Sequence, residues 1–229
     1  MQLLIYLILY PILWVISILP FPLFYLFSDF ICFLIYNVIG YRKKVVRDNI
    51  KLALPHLSNE ERFQIEKKFY SHMCDMFLEM IKTMSISQKE MEKRFSFTNM
   101  EVYYDLEKKN KSIALMCAHY ASYEWVISMN YYTNFKGIGI YKKLANPYFD
   151  KLVKRIRSKF KAELITTKET ISTIENNYRN KVLSLYGFAS DQSPKARSAY
   201  HWAPFMGPIV PVHTGAEMLA KRFDMNVIF

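Results

Sequence analysis

Ser112-Ile-Ala-Leu-Met-Cys-Ala118-His119-Tyr-Ala-Ser-Tyr-Glu124 is the stretch that decides the fold. From Ser112 to Ala118 the chain is apolar over the length of a strand, the pattern of a strand covered on both faces. A helical segment near 122–132 follows at once, so the run ends in a strand-to-helix turn. Such turns collect ligand groups in α/β sheets. The turn carries His119 and Glu124, a His-x4-Glu spacing. On one continuous helix, residues five apart differ by about 140° and face different ways. The two side chains can therefore meet only with His119 in the turn and Glu124 in the first helical turn. A carboxylate so placed would hold the imidazole in one tautomer and stabilise its protonated form. The other ring nitrogen would then be left to take a proton from a hydroxyl.

Downstream the pattern alternates: strand 137–141, helix 147–160, strand 163–166, helix 168–179 and strand 182–188. Strand, helix, strand, helix predicts an α/β fold with a largely parallel central sheet flanked by helices. Upstream, Ser58-Asn-Glu-Glu61 is a capping box opening a helix over 59–83, and Ser87 to Glu90 repeats the signature for a shorter helix. His56 and Glu61 repeat the His-x4-Glu spacing. No strand precedes them and the glutamate closes a cap, so that pair reads as structural. Asn226-Val-Ile-Phe229 looks like one more strand, and with the chain stopping there either a sheet edge or a missing C-terminal piece of the fold is expected.

The chain has 229 residues, 52% hydrophobic and 16% aromatic, with 31 basic against 20 acidic side chains. That composition excludes disorder, collagen and a small disulfide scaffold. Asp29 is the only charged side chain before Arg42, so residues 42–229 carry a net +12. An apolar head on a basic body favours lipid over nucleic acid as the partner of the charge. Leu3 to Leu19 is long enough nearly to cross a hydrocarbon layer; Pro20-Phe21-Pro22 stops it. Leu23 to Ile39, with Ser28, Asp29 and Asn37, suits an interfacial or re-entrant helix. A signal peptide would begin with a basic region and end at a small-residue cleavage site, and neither is present. The expected organisation is a membrane-anchoring helical hairpin over 1–41 and a catalytic domain over 42–229. The cluster Arg42-Lys43-Lys44-Val-Val-Arg47 directs that domain to the cytoplasm. Cys32, Cys74 and Cys117 show no ligand spacing and read as reduced.

Taken in order, these features resemble the bacterial lipid A biosynthesis (lauroyl/myristoyl) acyltransferases of the lysophospholipid acyltransferase superfamily. The resemblance is carried by the apolar N-terminus followed by Tyr41-Arg-Lys-Lys-Val-Val-Arg-Asp-Asn49, by Phe69-Tyr-Ser-His72 and by His119-x4-Glu124. It continues through Tyr141-Lys-Lys-Leu-Ala-Asn146-Pro147, Arg155-Ile-Arg157, Asp191-Gln192, Phe205-Met-Gly207 and Thr214-Gly-Ala216. It implies transfer of a fatty acyl group from acyl carrier protein to a lipid hydroxyl at the cytoplasmic face of the inner membrane, with no metal and no organic cofactor. His119 would act as base with Glu124 orienting it; Lys142, Asn146, Arg157, Asp191 and Gln192 would bind substrate. Lys142 and Lys143 stand where the family usually has arginine and proline. Lysine lacks the bidentate fork, which leaves open a lysophospholipid or aminolipid acceptor beside the lipid A precursor.

Duller readings stand beside these. Lys142, Lys143 and Arg157 suit a solvated face, and Asp191 suits turn chemistry. Trp125, Phe205 and Met206 suit either an acyl channel or core packing. Ser122 lacks the glycines of a nucleophile elbow. Two other classes compete: a metal-dependent lipid hydrolase recruiting His119, Glu124, Asp191 and His201 or His213, and a non-catalytic membrane scaffold.

Overall fold

A computed structural model describes all 229 residues. The helices are α1 (Gln2–Ile18), α2 (Phe21–Phe33, continued as a π-helical turn Leu34–Ile39), α3 (Lys43–Ala53), α4 (Asn59–Lys82), α5 (Gln88–Arg94), α6 (Met100–Glu107), α7 (Pro147–Ser158), α8 (Thr170–Arg179) and α9 (Gly215–Arg222). The strands are β1 (Ile113–Cys117), β2 (Lys136–Tyr141), β3 (Glu163–Thr166), β4 (Ser184–Ala189), β5 (His201–Pro204), β6 (Ile209–Val212) and β7 (Asn226–Ile228). Two compact units form: Leu9–Ile86 with Ala203–Val210, and Met1–Ile8 with Ser87–Trp202 and Pro211–Phe229.

The sheet has the order β3-β2-β4-β1-β7, and every neighbouring pair is parallel. The expected α/β architecture with its parallel sheet is the one observed. Period-two alternation sorts side chains to its two faces. Ala114 and Tyr186 join Ile138, Ile165, Ile174, Ala216 and Phe223 beneath α8 and α9. Their neighbours Ile113 and Leu185 join Tyr103 and Met129 on the other face. Both faces are therefore buried, which explains why β1 reads as an unbroken apolar run. The segment after β1 is a 3-10 helix, Tyr123–Tyr131, rather than an α-helix. The strand expected at the end of the chain is β7, on the sheet's edge.

In the helical unit, α4 opens with the capping box as read: Ser58 Oγ accepts from the Glu61 N–H and the Glu61 carboxylate accepts from the Ser58 N–H at 2.8 Å. α2 lies along α4. The seam between them is polar at intervals: Tyr25 donates to Glu79 at 2.9 Å and Tyr36 to Glu66 at 3.0 Å. At one end the Lys82 ammonium is buried and donates to the Ser17 and Leu19 carbonyls, capping the last turn of α1, whose carbonyls have no helical partner. α3 adds Arg47, whose Nε and Nη2 reach Glu66 at 2.8 and 3.1 Å. This unit continues to Ile86 because α2 finds its partner in α4. Away from the seam, Leu23, Leu26, Phe30, Phe33, Val38 and Ile39 remain exposed, and Phe21–Ile39 is long and apolar enough to cross a membrane.

The basic cluster is more occupied than its sequence suggests. Lys43 Nζ sits 3.8 Å from the centre of the Tyr36 ring, Lys44 pairs with Asp48 at 2.7 Å, and Arg47 with Glu66. Three of its four cations are engaged within the fold.

Candidate active site

β1 and β4 are neighbours in a register that pairs Cys117 with Ala189. His119 and Asp191 each lie two residues beyond that pair, so parallel pairing alone delivers them side by side past the carboxyl ends of two central strands. The contact is double. His119 Nδ1 lies 2.7 Å from Asp191 Oδ1, and the His119 backbone N–H donates to Oδ2 at 2.9 Å. A carboxylate only accepts, so Nδ1 must carry the hydrogen and Nε2 is left as the basic nitrogen. Partial burial pushes the Asp191 carboxyl up; the ring and backbone donors of His119 outweigh it and hold the carboxyl below its ordinary value. Asp191 therefore stays ionised and able to stabilise an imidazolium. The ring is further braced edge-on by Tyr123, with centroids 4.8 Å apart.

The carboxylate that meets His119 Nδ1 is that of Asp191, not that of Glu124. Glu124 turns instead to Arg157 on α7, which offers a planar fork: Nε to Oε2 at 2.9 Å and Nη2 to Oε1 at 2.5 Å, with the carboxylate side chain 11% exposed. A bidentate guanidinium satisfies both oxygens at once, which one imidazole nitrogen cannot do. Burial and then the Glu124 carboxylate push the Tyr123 phenol up, so it remains a neutral donor. The turn itself is strained: Ala121, with φ +49°, sits in the left-handed region that side chains with a Cβ avoid.

α7 is held where Arg157 needs it by the loop before it. Asp150, buried, accepts from Tyr141 Oη at 3.1 Å and from the Leu144 N–H at 2.9 Å. Asn146 Oδ1 accepts from the N–H groups of Tyr148 and Phe149, capping α7, and its Nδ2 donates to the Gln2 carbonyl at 3.3 Å. Asn146 is thus engaged as a helix cap. Lys142 and Lys143 are exposed on the same loop, and Gln192 is exposed just after Asp191. The resemblance implied substrate binding for Asp191 and Arg157; the geometry ties each to a partner in the strand-end turn.

Other candidates fall elsewhere. Trp125, on the 3-10 helix, is buried, whereas Phe205 and Met206 are exposed. Burial and the Asp191 charge push the Cys117 thiol up, so it stays protonated and weakly nucleophilic at neutral pH. His119 and Asp191 are joined by neither His201 nor His213, and no three His, Cys, Asp or Glu side chains gather as a metal site would require. A cavity of about 620 Å³ opens beside Met116, three residues before His119. Its wall is Ala216, Ala220, Val227 and Phe229; its rim is polar.

A parallel α/β sheet with a histidine–carboxylate pair just past its strand ends places that pair where such sheets collect ligand groups. Comparison with known proteins gives the chemistry its family. The model of the bacterial lipid A biosynthesis acyltransferases matches residues 2–229, and the chain belongs to that family. It is an acyltransferase of lipid A biosynthesis. It is also 22% identical, over 210 residues, to the lipid A biosynthesis lauroyltransferase of Escherichia coli (strain K12), an alignment covering 92% of this chain and 67% of that protein.

Proposed function

We propose that this acyltransferase moves a fatty acyl group from an acyl carrier protein thioester directly to a hydroxyl of a lipid A precursor, on the cytoplasmic face of the inner membrane. The observation that carries the reading is the His119–Asp191 contact at the ends of β1 and β4. His119 Nε2 removes the proton from the acceptor hydroxyl as its oxygen attacks the thioester carbonyl. The carbon–sulfur bond then breaks, and the imidazolium returns the proton to the leaving thiolate. Asp191 keeps Nδ1 protonated and offsets the imidazolium charge. Such a base contributes about 10²- to 10⁴-fold, enough for a carbonyl already activated as a thioester.

Glu124 and Arg157 serve as positioning residues. With two of its five N–H donors on Glu124, Arg157 keeps others to offer to the phosphate or oxyanion of a substrate. Lys142, Lys143 and Gln192, on the neighbouring exposed loops, are proposed contacts to the lipid. The cavity beside Met116 suits the acyl chain, each buried methylene of which is worth about 0.8 kcal/mol. The exposed apolar face of Phe21–Ile39, together with its polar seam on α4, favours a helix lying at the membrane interface rather than one wrapped by lipid.

Purified full chain, given acyl-carrier thioester and either a phosphorylated disaccharide lipid or a lysophospholipid, tests the assignment. Acylated disaccharide is the expected product. Turnover confined to the lysophospholipid would transfer the enzyme to that acceptor, and free fatty acid with both would make it a thioesterase.

A further inference from the structure

β5 and β6 form a hairpin that takes no part in the site described above. Its loop is Met206-Gly207: the Phe205 N–H donates to the Pro208 carbonyl at 2.9 Å, and proline has no N–H to return the bond. Both loop residues have positive φ, +50° and +108°, as the two-residue turns that match strand twist require. Glycine adopts this conformation freely, but methionine does not. Asparagine or glycine at position 206 would relieve the strain; the sequence holds an unbranched apolar side chain there instead.

The hairpin is apolar where water should meet it. Phe205 is 61% exposed, Met206 54%, Ile209 67% and Trp202 48%. No acidic residue occurs from Gln192 to Ala216, whereas Lys195 and Arg197 precede the hairpin. The segment Ala203–Val210 also belongs to the same compact unit as Leu9–Ile86, the unit of the exposed apolar helices.

We infer that the hairpin tip inserts into the apolar layer of a lipid bilayer, giving the chain a second membrane contact, distant in sequence from its N-terminal helices but in the same compact unit. A tip of phenylalanine, methionine and isoleucine gains by leaving water for acyl chains. Trp202, partly exposed at the base, is the residue type that accumulates at the membrane–water boundary. Lys195 and Arg197 match anionic headgroups. An acidic soluble partner would gain nothing from the tip, which carries no charge.

The test uses the full chain in vesicles of phosphatidylethanolamine and phosphatidylglycerol. Met206→Cys and Ile209→Cys are labelled with an environment-sensitive nitrobenzoxadiazole dye, with Lys181→Cys as an exposed control. Expected at 206 and 209 are a blue-shifted emission and at least about twofold stronger quenching by acyl-chain nitroxide lipids than by aqueous iodide, with the reverse at 181. Emission like that at 181, or a blue shift insensitive to nitroxide lipids, overturns insertion. So does a shift that develops only when an acidic carrier protein is added, which would make the tip a protein-docking surface. Should labelling disturb the protein, quenching of native tryptophan fluorescence by brominated lipids, compared between wild type and Trp202→Phe, gives the same answer: the wild type must lose more. None of these readouts needs turnover, so they stand apart from the acyl-transfer assignment.

Discussion

In the segment His56 to Glu61 the glutamate folds back onto Ser58 and closes the cap of α4. In the segment His119 to Glu124, with the same spacing, the glutamate also leaves its histidine, this time for Arg157 across the domain. Neither glutamate holds the histidine that precedes it. What separates the two is the element upstream: only His119 emerges from a central strand, and a neighbouring parallel strand ends in register with it to supply Asp191. Strand adjacency, rather than motif spacing, gives the second histidine a carboxylate partner and an oriented ring.

The largest effect expected from breaking this contrast falls on transfer. His119→Ala and Asp191→Ala should each lower kcat by about 10²- to 10⁴-fold, with the far-ultraviolet circular dichroism unchanged, while His56→Ala should stay within about twofold of wild type. Equal losses at 56 and 119 would erase the distinction. Next come the two residues that the spacing drew attention to. Arg157→Lys keeps the charge but loses the fork, and Glu124→Gln loses the charge; each is expected to lower kcat/KM by about 10- to 100-fold, less than Asp191→Ala. A larger loss at Glu124 than at Asp191 would restore Glu124 as the orienting carboxylate.

A smaller effect belongs to the donor. An acidic carrier is steered by a basic surface mainly through its association rate, and salt screens that steering over about 8–10 Å. KM for acyl carrier protein should rise steeply between low and physiological salt, more than KM for acyl-CoA. An equal effect on both donors would argue against carrier docking. Smallest in kinetics is the other half of the comparison: Ser58→Ala should cost about 1 kcal/mol of stability through the lost cap and leave transfer unchanged.

Acidity probes the same contrast. Asp191 is held below its ordinary value in the fold, so it contributes stability that is complete above the unfolded carboxylate pKa of about 3.9. That contribution is lost as pH falls through the lower folded value. Wild type and Asp191→Asn should therefore differ in urea midpoint at neutral pH and converge in strong acid. A gap that persists there would mean that the substitution acts through packing.

Much of this is legible in the sequence. The continuous apolar run of β1 announced a two-faced strand, the Ser-x-x-Glu signatures marked the starts of α4 and α5, and the strand-helix alternation pointed to a parallel sheet. The His119–Asp191 partnership was not legible, because it depends on β4 lying beside β1, and sequence order does not give the order of strands in a sheet. Equal offsets from two strand ends, Cys117 and Ala189, are the signal that could have found it once adjacency was known. Arg47 misled for a similar reason. It sits in a basic run that reads as surface, yet its partner Glu66 lies one helix later and is nearly buried. The hairpin of β5 and β6 escaped because its strands are four residues long and interrupted by Pro204 and Pro211, too short for a period to emerge.

The most direct test of the central claim is mass spectrometry of lipid A from cells lacking the gene and complemented with wild type, His119→Ala, Asp191→Ala or His56→Ala at matched protein levels. The account predicts that one acyl chain is missing without the gene, returns with wild type and His56→Ala, and stays missing with the other two. Return of that chain to wild-type abundance with His119→Ala or Asp191→Ala would contradict it.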